Sequence, residues 1–241
     1  MYSLSSRSSG GRTEHSYRLV TNPKCAEWAR YASTMTGIIA LQGGGPFKLH
    51  DELDRRLIAE VKASSVVVMP TADAFERPED LIESAKEWAG RVGVTVQPLM
   101  VMRRTEALDP ENAAIISRSQ AIWLVGDNPI HLRSVVKDTP VWGAIVELLE
   151  AGGLVVGAGA PASALCDPMI DPRGGALALG LGMIEGTAVI TESEKETPDR
   201  HARTKKLANV PLIFLPSSSA VVRRGKVWEH VGPSEIEGTL P

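Results

Sequence analysis

From Ile38 onward, short unbroken apolar runs alternate with amphipathic stretches of helical period, and few folds accept that rhythm. The runs are Ile38–Gln42 (IIALQ), Ser65–Pro70 (SVVVMP), Val94–Val101 (VTVQPLMV), Ala121–Gly126 (AIWLVG), Gly153–Gly157 (GLVVG) and Pro211–Leu215 (PLIFL). Most are continuous and β-branched rather than alternating, the pattern of strands buried on both faces of a parallel sheet. Between them, the stretch 50–63 places Leu53, Leu57, Ile58 and Val61 on one helical face. The stretch 77–93 gathers Leu81, Ile82, Ala85 and Trp88 and stops near Gly90–Gly93. Asp109-Pro110 and Thr139-Pro140 each read as an N-cap followed by proline at the first helical position. The expected fold class is α/β: a doubly wound, mostly parallel sheet flanked by helices. The tail AVVRRGKVWEHVG adds a β-hairpin turning near Gly225.

Residues 35–241 form a single domain on this reading. Residues 1–34, rich in Ser, Arg and Gly, lack hydrophobic periodicity and an apolar signal core. They are expected to be a disordered leader, or an over-extended start ahead of Met35. Aromatic residues make up 5% of the chain, so the core must be built from Val, Ile, Leu, Ala and Met. A net charge of −3 gives no electrostatic case for nucleic acid or an anionic membrane. No apolar run approaches the ~20 residues that span a bilayer. The two cysteines, Cys25 and Cys166, have no metal-ligand spacing and lie in unlike segments, which points to a reducing cytoplasm without disulfides. No cofactor and no metal are expected.

In an open parallel sheet, the site lies beyond the carboxyl ends of the strands. The loops to inspect are GGGPF, TADAFERPE, GDNPIHL, GAGAPA and the segment after Val189. They supply the ligand-binding candidates Gly44, Asp73, Arg77, Gly126, Asp127, Asn128 and Ala160. GGGPF lacks the Lys-Ser/Thr of a phosphate loop and reads as a strand-to-helix turn. Arg77 suits either a carboxylate ligand or a structural ion pair. His131 is the best placed of the five histidines, in the first turn of a helix starting near Pro129, where helix packing is the simpler role. Strand, sharp turn and helix meet at Gly157-Ala158-Gly159-Ala160, the layout that presents a nucleophile, yet no hydroxyl or thiol stands at the apex.

Five segments in order, ALQGGGPF, VVVMPTADAFERPE, AIWLVGDNPIHLRSVVKDTP, GLVVGAGAPASALCDPMIDPRGG and LGLGMIEGTAVI, resemble the cyanophycinase and aspartyl-dipeptidase (dipeptidase E-like) serine peptidases. The resemblance runs from about Gly37 to Val222 and is nearest the branch called type 1 glutamine amidotransferase-like. It implies a class I glutamine amidotransferase-like, flavodoxin-like fold. It also implies a serine at an elbow, a histidine base after the next strand, and an oxyanion site from a glycine pair.

Laid on that pattern, each functional position departs. Gly159 stands where the nucleophilic serine is expected, and Pro161 where the elbow's next glycine falls. Gly126 is kept but Asp127 replaces the second glycine. Thr191, Glu192 and Ser193 occupy the histidine segment. Pro216 and Ser217 stand where the related branch has an acidic pair. The expectation is a catalytically inactive homologue acting as a binding or regulatory protein, with a small acidic or amide ligand and a homo- or hetero-oligomeric state. The alternatives are an active hydrolase with a displaced nucleophile, for which Ser163 is the nearest hydroxyl, and a structural subunit paired with an intact paralogue.

Overall fold

The computed structural model describes residues 36–241. The expected leader, 1–34, and Cys25 lie outside the described residues. The order of elements follows the sequence rhythm: β1 (Ile38–Gln42), α1 (Asp51–Glu60), β2 (Ser65–Met69), α2 (Pro78–Val92), β3 (Thr95–Pro98), α3 (Arg104–Ala107), α4 (Pro110–Ser117), β4 (Ala121–Leu124), α5 (Pro129–Val136), α6 (Pro140–Glu150), β5 (Leu154–Ala158) and α7 (Ala160–Leu165). Four two-residue strands follow, β6 (Cys166–Asp167), β7 (Met169–Ile170), β8 (Leu177–Ala178) and β9 (Ile184–Glu185). The chain closes with β10 (Ala188–Thr191), α8 (Pro198–Leu207), β11 (Leu212–Leu215), β12 (Ala220–Arg224), β13 (Val227–Val231) and β14 (Glu235–Glu237).

The central sheet has seven strands in the order β13-β12-β1-β5-β4-β2-β3. The five from β1 to β3 run parallel, and the β12–β13 hairpin adds two antiparallel strands at one edge. The hairpin turns where Gly225 takes a φ of 58°. β1, β4 and β5 are fully buried, as their continuous apolar runs require. Odd residues of β1, Ile39 and Leu41, face the core under α4 to α7. The even residues Ile38 and Ala40 face the core under α1 and α2. These two cores are the two layers of a doubly wound fold.

Three caps come out as the sequence dictates. Asp109 accepts from the Glu111 amide, Asn128 from that of His131, and Thr139 from that of Trp142, each with proline next in the chain. α2 ends on Gly93 in the left-handed conformation.

Two strands depart from expectation. β3 is an exposed edge, not a strand buried on both faces, and only Thr95–Pro98 of the apolar run 94–101 pairs. Leu99 and Val101 leave the ladder to fill the core instead. β11 is buried and parallel to β10, but it sits in a separate three-stranded sheet, β10-β11-β14, where β14 runs antiparallel to it. The unbroken run LIFL satisfies either sheet, since burial on both faces is all it records.

Candidate functional site

The carboxyl ends of β1, β2, β4 and β5 converge, and α7 leaves β5 through Gly159. That residue has φ 69° and ψ −135°, a conformation open to glycine and costly for a side chain. Its amide donates to the Gln42 carbonyl at 3.0 Å, and its carbonyl accepts from the Ala162 amide at 2.9 Å. A methyl group built on Gly159 meets no atom nearer than the Gly126 carbonyl oxygen, at 3.9 Å. The apex therefore has the strand-turn-helix shape of a nucleophile elbow, with vacant space where a side chain would project. Ala160 is the first residue of α7 and is half-buried.

Gly126 is held the opposite way. It has φ 116°, and a methyl group there would come within 2.5 Å of the Asp73 amide nitrogen. The turn after β4 is thus pressed onto the 3-10 turn Thr71–Asp73 that follows β2. Asn128 fastens the same contact through its amide, which donates to the Ala72 carbonyl at 2.8 Å.

The loop after β1 closes the other side. Gly43 donates its amide to the Ser219 carbonyl at 2.8 Å and lies so near the Pro216 carbonyl that no side chain fits. The Gly43 carbonyl accepts from the Glu192 amide at 2.9 Å. A methyl group on Gly44 would meet Glu192 Cγ at 3.0 Å and Ser217 Oγ at 3.1 Å. Glu192 itself has φ 50°. The structure therefore brings Gly43, Gly44, Glu192, Pro216 and Ser217 together. Ser217 Oγ donates to the Glu194 carboxylate, which also accepts from the Ser217 amide at 3.0 Å.

The charge around the turn is mainly negative. Burial raises the Asp127 carboxyl above its ordinary range; the Glu192 and Glu76 carboxylates push the same way and Lys195 opposes them. Asp73 is raised by burial, then by Asp127 and Glu76. Lys195 is paired with Glu192 at 2.6 Å. A negative charge on a ligand would meet repulsion here. Among the described residues, no group of three or more His, Cys, Asp or Glu side chains is arranged to hold a metal ion.

Other candidates are placed elsewhere. Arg77 is spent on an exposed ion pair with Asp80 at 2.9 Å. Ser163 is 5% exposed, and its Oγ accepts from the Ile170 amide at 3.1 Å, a packing role rather than a nucleophile's. His131 Nε2 donates to the Met102 carbonyl at 3.0 Å, and its ring meets Phe75 edge-on with centroids 4.5 Å apart. It is a packing histidine at the rim, beside a phenylalanine that is 76% exposed. A cavity of about 410 Å³ lies at the far end of the sheet, lined in part by Gln120, Glu147, Gly152 and Gly153. Its walls are the amino ends of β4 and β5, away from the turn that carries the elbow.

His50 and Asp54 carry structural weight that the sequence pattern did not single out. His50 Nε2 lies 3.2 Å from the Gly44 carbonyl and 3.1 Å from that of Ser217, so one ring nitrogen ties the glycine loop to the Pro216 turn. Burial lowers the His50 pKa. Asp54, 1% exposed, accepts from Gln42 Nε2 at 2.7 Å and from Trp88 Nε1 at 3.0 Å. The only trace in the sequence is position: both fall at the start of the helix that follows the glycine loop.

No family model matches the chain, and no curated protein matches it. Solved structures do. A peptidase from an acI-B1 Actinobacterium is 25% identical, with a TM-score of 0.76 over 85% of this chain and 95% of that one. A candidate peptidase E protein from Listeria monocytogenes EGD-e is 19% identical, with a TM-score of 0.62 over 80% of this chain and 97% of that one. The second likeness is one of fold. Both neighbours share this chain's mixed α/β fold, and the first relates it to the peptidases.

Proposed function

We propose that this chain is a peptidase-fold protein without serine-type catalysis, working as a binding or regulatory protein through the residues around its elbow. One observation carries the reading: the apex of the turn is Gly159, in elbow geometry, with open space and no nucleophile. The neighbouring groups support it. Asp127 and Glu192 give the residues around the turn a negative field, which would oppose rather than stabilise developing negative charge on a carbonyl oxygen bound there. The Gly126 carbonyl, an acceptor, is the nearest atom to the vacant apex. His50 and His131 each spend Nε2 on backbone carbonyls, and neither ring comes within 4 Å of a methyl group built on Gly159, so no base stands at the apex. Of the acidic and amide ligands expected from the sequence, this field supports a neutral amide.

A second reading is an active amide hydrolase with a displaced nucleophile. It is favoured by the Ser217 hydroxyl, which donates to the Glu194 carboxylate beside Gly44. One experiment separates the two. The full-length protein is treated with a fluorophosphonate probe and assayed against a panel of dipeptides and amides. The binding reading expects no labelling and no turnover. Labelling or turnover that disappears in Ser217→Ala would overturn it in favour of the second.

A further inference from the structure

Arg223 and Arg224 are neighbours on β12 with opposite fates. Arg224 faces α1, where it binds Glu60 at 2.8 Å and Glu229 at 2.8 Å. Arg223 faces the other core. It is 8% exposed, and no carboxylate among the described residues pairs with it. Its Nε donates to the Gly225 carbonyl at 2.9 Å. Its guanidinium lies 5.4 Å from the centre of the Trp228 ring, directly across the hairpin. Neither Nη donates to any described protein atom, and neither is sealed from solvent. Among the described residues, the one titratable group that acts on it is the buried Cys166 thiol, which is neutral at physiological pH.

A guanidinium carries five N–H donors, and one of these five is used. A charge held mostly out of water carries a cost that a counter-charge offsets. Trp228 offsets part of that cost through its ring, but it supplies no acceptor in the plane of the guanidinium. What the position lacks is a planar anion that meets two N–H groups at once, as a carboxylate does. We propose that Arg223 anchors a binding site for a small carboxylate, with the Trp228 ring as one wall. The site is separate from the elbow. Arg223 pairs with Ile39, three residues before Gln42, which is roughly 10 Å along the strand. The inference therefore stands whether or not the elbow is catalytic.

The test follows thermal unfolding of the full-length protein in sodium acetate against sodium chloride of equal ionic strength. Acetate is expected to raise the wild-type midpoint saturably, by roughly 3 °C or more at saturation. Arg223→Met, of similar length and without charge, should lose that response and be at least as stable as wild type in chloride. Arg223→Lys, which keeps the charge but not the fork, should respond more weakly than wild type. Equal responses from wild type and Arg223→Met would overturn the site. So would a marked loss of stability of Arg223→Met in chloride, since the guanidinium's own contacts would then satisfy it. A saturable response to sodium phosphate without one to acetate would overturn the assignment to carboxylates.

Discussion

The Gly159 amide donates to the Gln42 carbonyl at 3.0 Å, and the Gln42 side chain donates to Asp54 at 2.7 Å. One residue at the end of β1 thus joins the apex of the elbow to a buried carboxyl on the inner face of α1. The turn keeps its shape through the strand end that holds it, independently of any side chain at its tip. This explains how an elbow persists with glycine at the apex: the backbone bond needs no hydroxyl.

Gly159 and Gly126 should respond differently to a methyl group. At Gly159 the space is open and only the positive φ is costly, so Gly159→Ala should lose about 1–3 kcal/mol. At Gly126 the same change adds a 2.5 Å clash with the Asp73 backbone, and the loss should exceed ~4 kcal/mol. Urea denaturation of the two variants measures the difference. Gly159→Ser should behave like Gly159→Ala in stability and remain inert to a fluorophosphonate, because no base is poised beside it. Equal losses at the two positions would mean that the space at the apex is not open.

Asp54 should make stability depend on pH. Burial pushes its carboxyl from the ordinary 3.8 up to about 7, against the Gln42 and Trp88 hydrogen bonds that favour the charged form. A group whose folded pKa is raised contributes its stability below the unfolded value and loses it as pH rises through the folded one. The contribution is therefore full below about pH 4 and gone above about pH 7. Asp54→Asn removes the charge. Its carbonyl oxygen can keep the Trp88 bond, and turning the Gln42 amide over presents Oε1, an acceptor that is buried without a partner, to the new amide nitrogen. Relative to wild type, the variant should gain stability from about pH 4 to about pH 7 and level off above that. Parallel profiles for the two proteins would show that Asp54 does not titrate in that window.

Much of this architecture was legible in the residues, and the reason is physical. Unbroken β-branched runs record burial on both faces, so β1, β4 and β5 were visible. Asp109, Asn128 and Thr139, each followed by proline, record helix starts through backbone needs that are entirely local. The elbow was visible because small residues are required wherever a strand turns sharply into a helix. What was hidden depends on distant partners. Leu212–Leu215 carries no mark of which sheet it joins. Asp54 looks like one more charge on a solvated helix until Trp88, 34 residues away, is seen to bond it. His50 looks incidental until the Pro216 turn is folded against the glycine loop. Arg77 pointed outward for a similar reason: its partner Asp80 sits one helical turn away, and nothing holds the pair inward.

Ser163 should prove structural. Its Oγ accepts the Ile170 amide, and Ile170 is buried, so Ser163→Ala leaves an N–H without a partner. The expected cost is about 1–3 kcal/mol in chemical denaturation. Probe labelling and any turnover should be unchanged once the variant is compared under fully folded conditions. A selective loss of activity with full stability would reverse the assignment and make Ser163 the displaced nucleophile.

Cys166 should be chemically silent in the folded protein. It is 0% exposed, and burial pushes its thiol up to about 12, against the opposing influence of Arg223. The thiolate is the reactive form, so both access and ionisation are denied. In a Cys25→Ser background, where Cys166 is the sole thiol, a disulfide exchange reagent at pH 8 should react at least ~100-fold more slowly with the native protein than with protein unfolded in guanidinium. Protection should track global stability across denaturant, because the thiol sits among the central core residues. Fast reaction at full native stability would show instead that the segment joining α7 to β6 opens locally, and the anion site proposed at Arg223 would then share that opening.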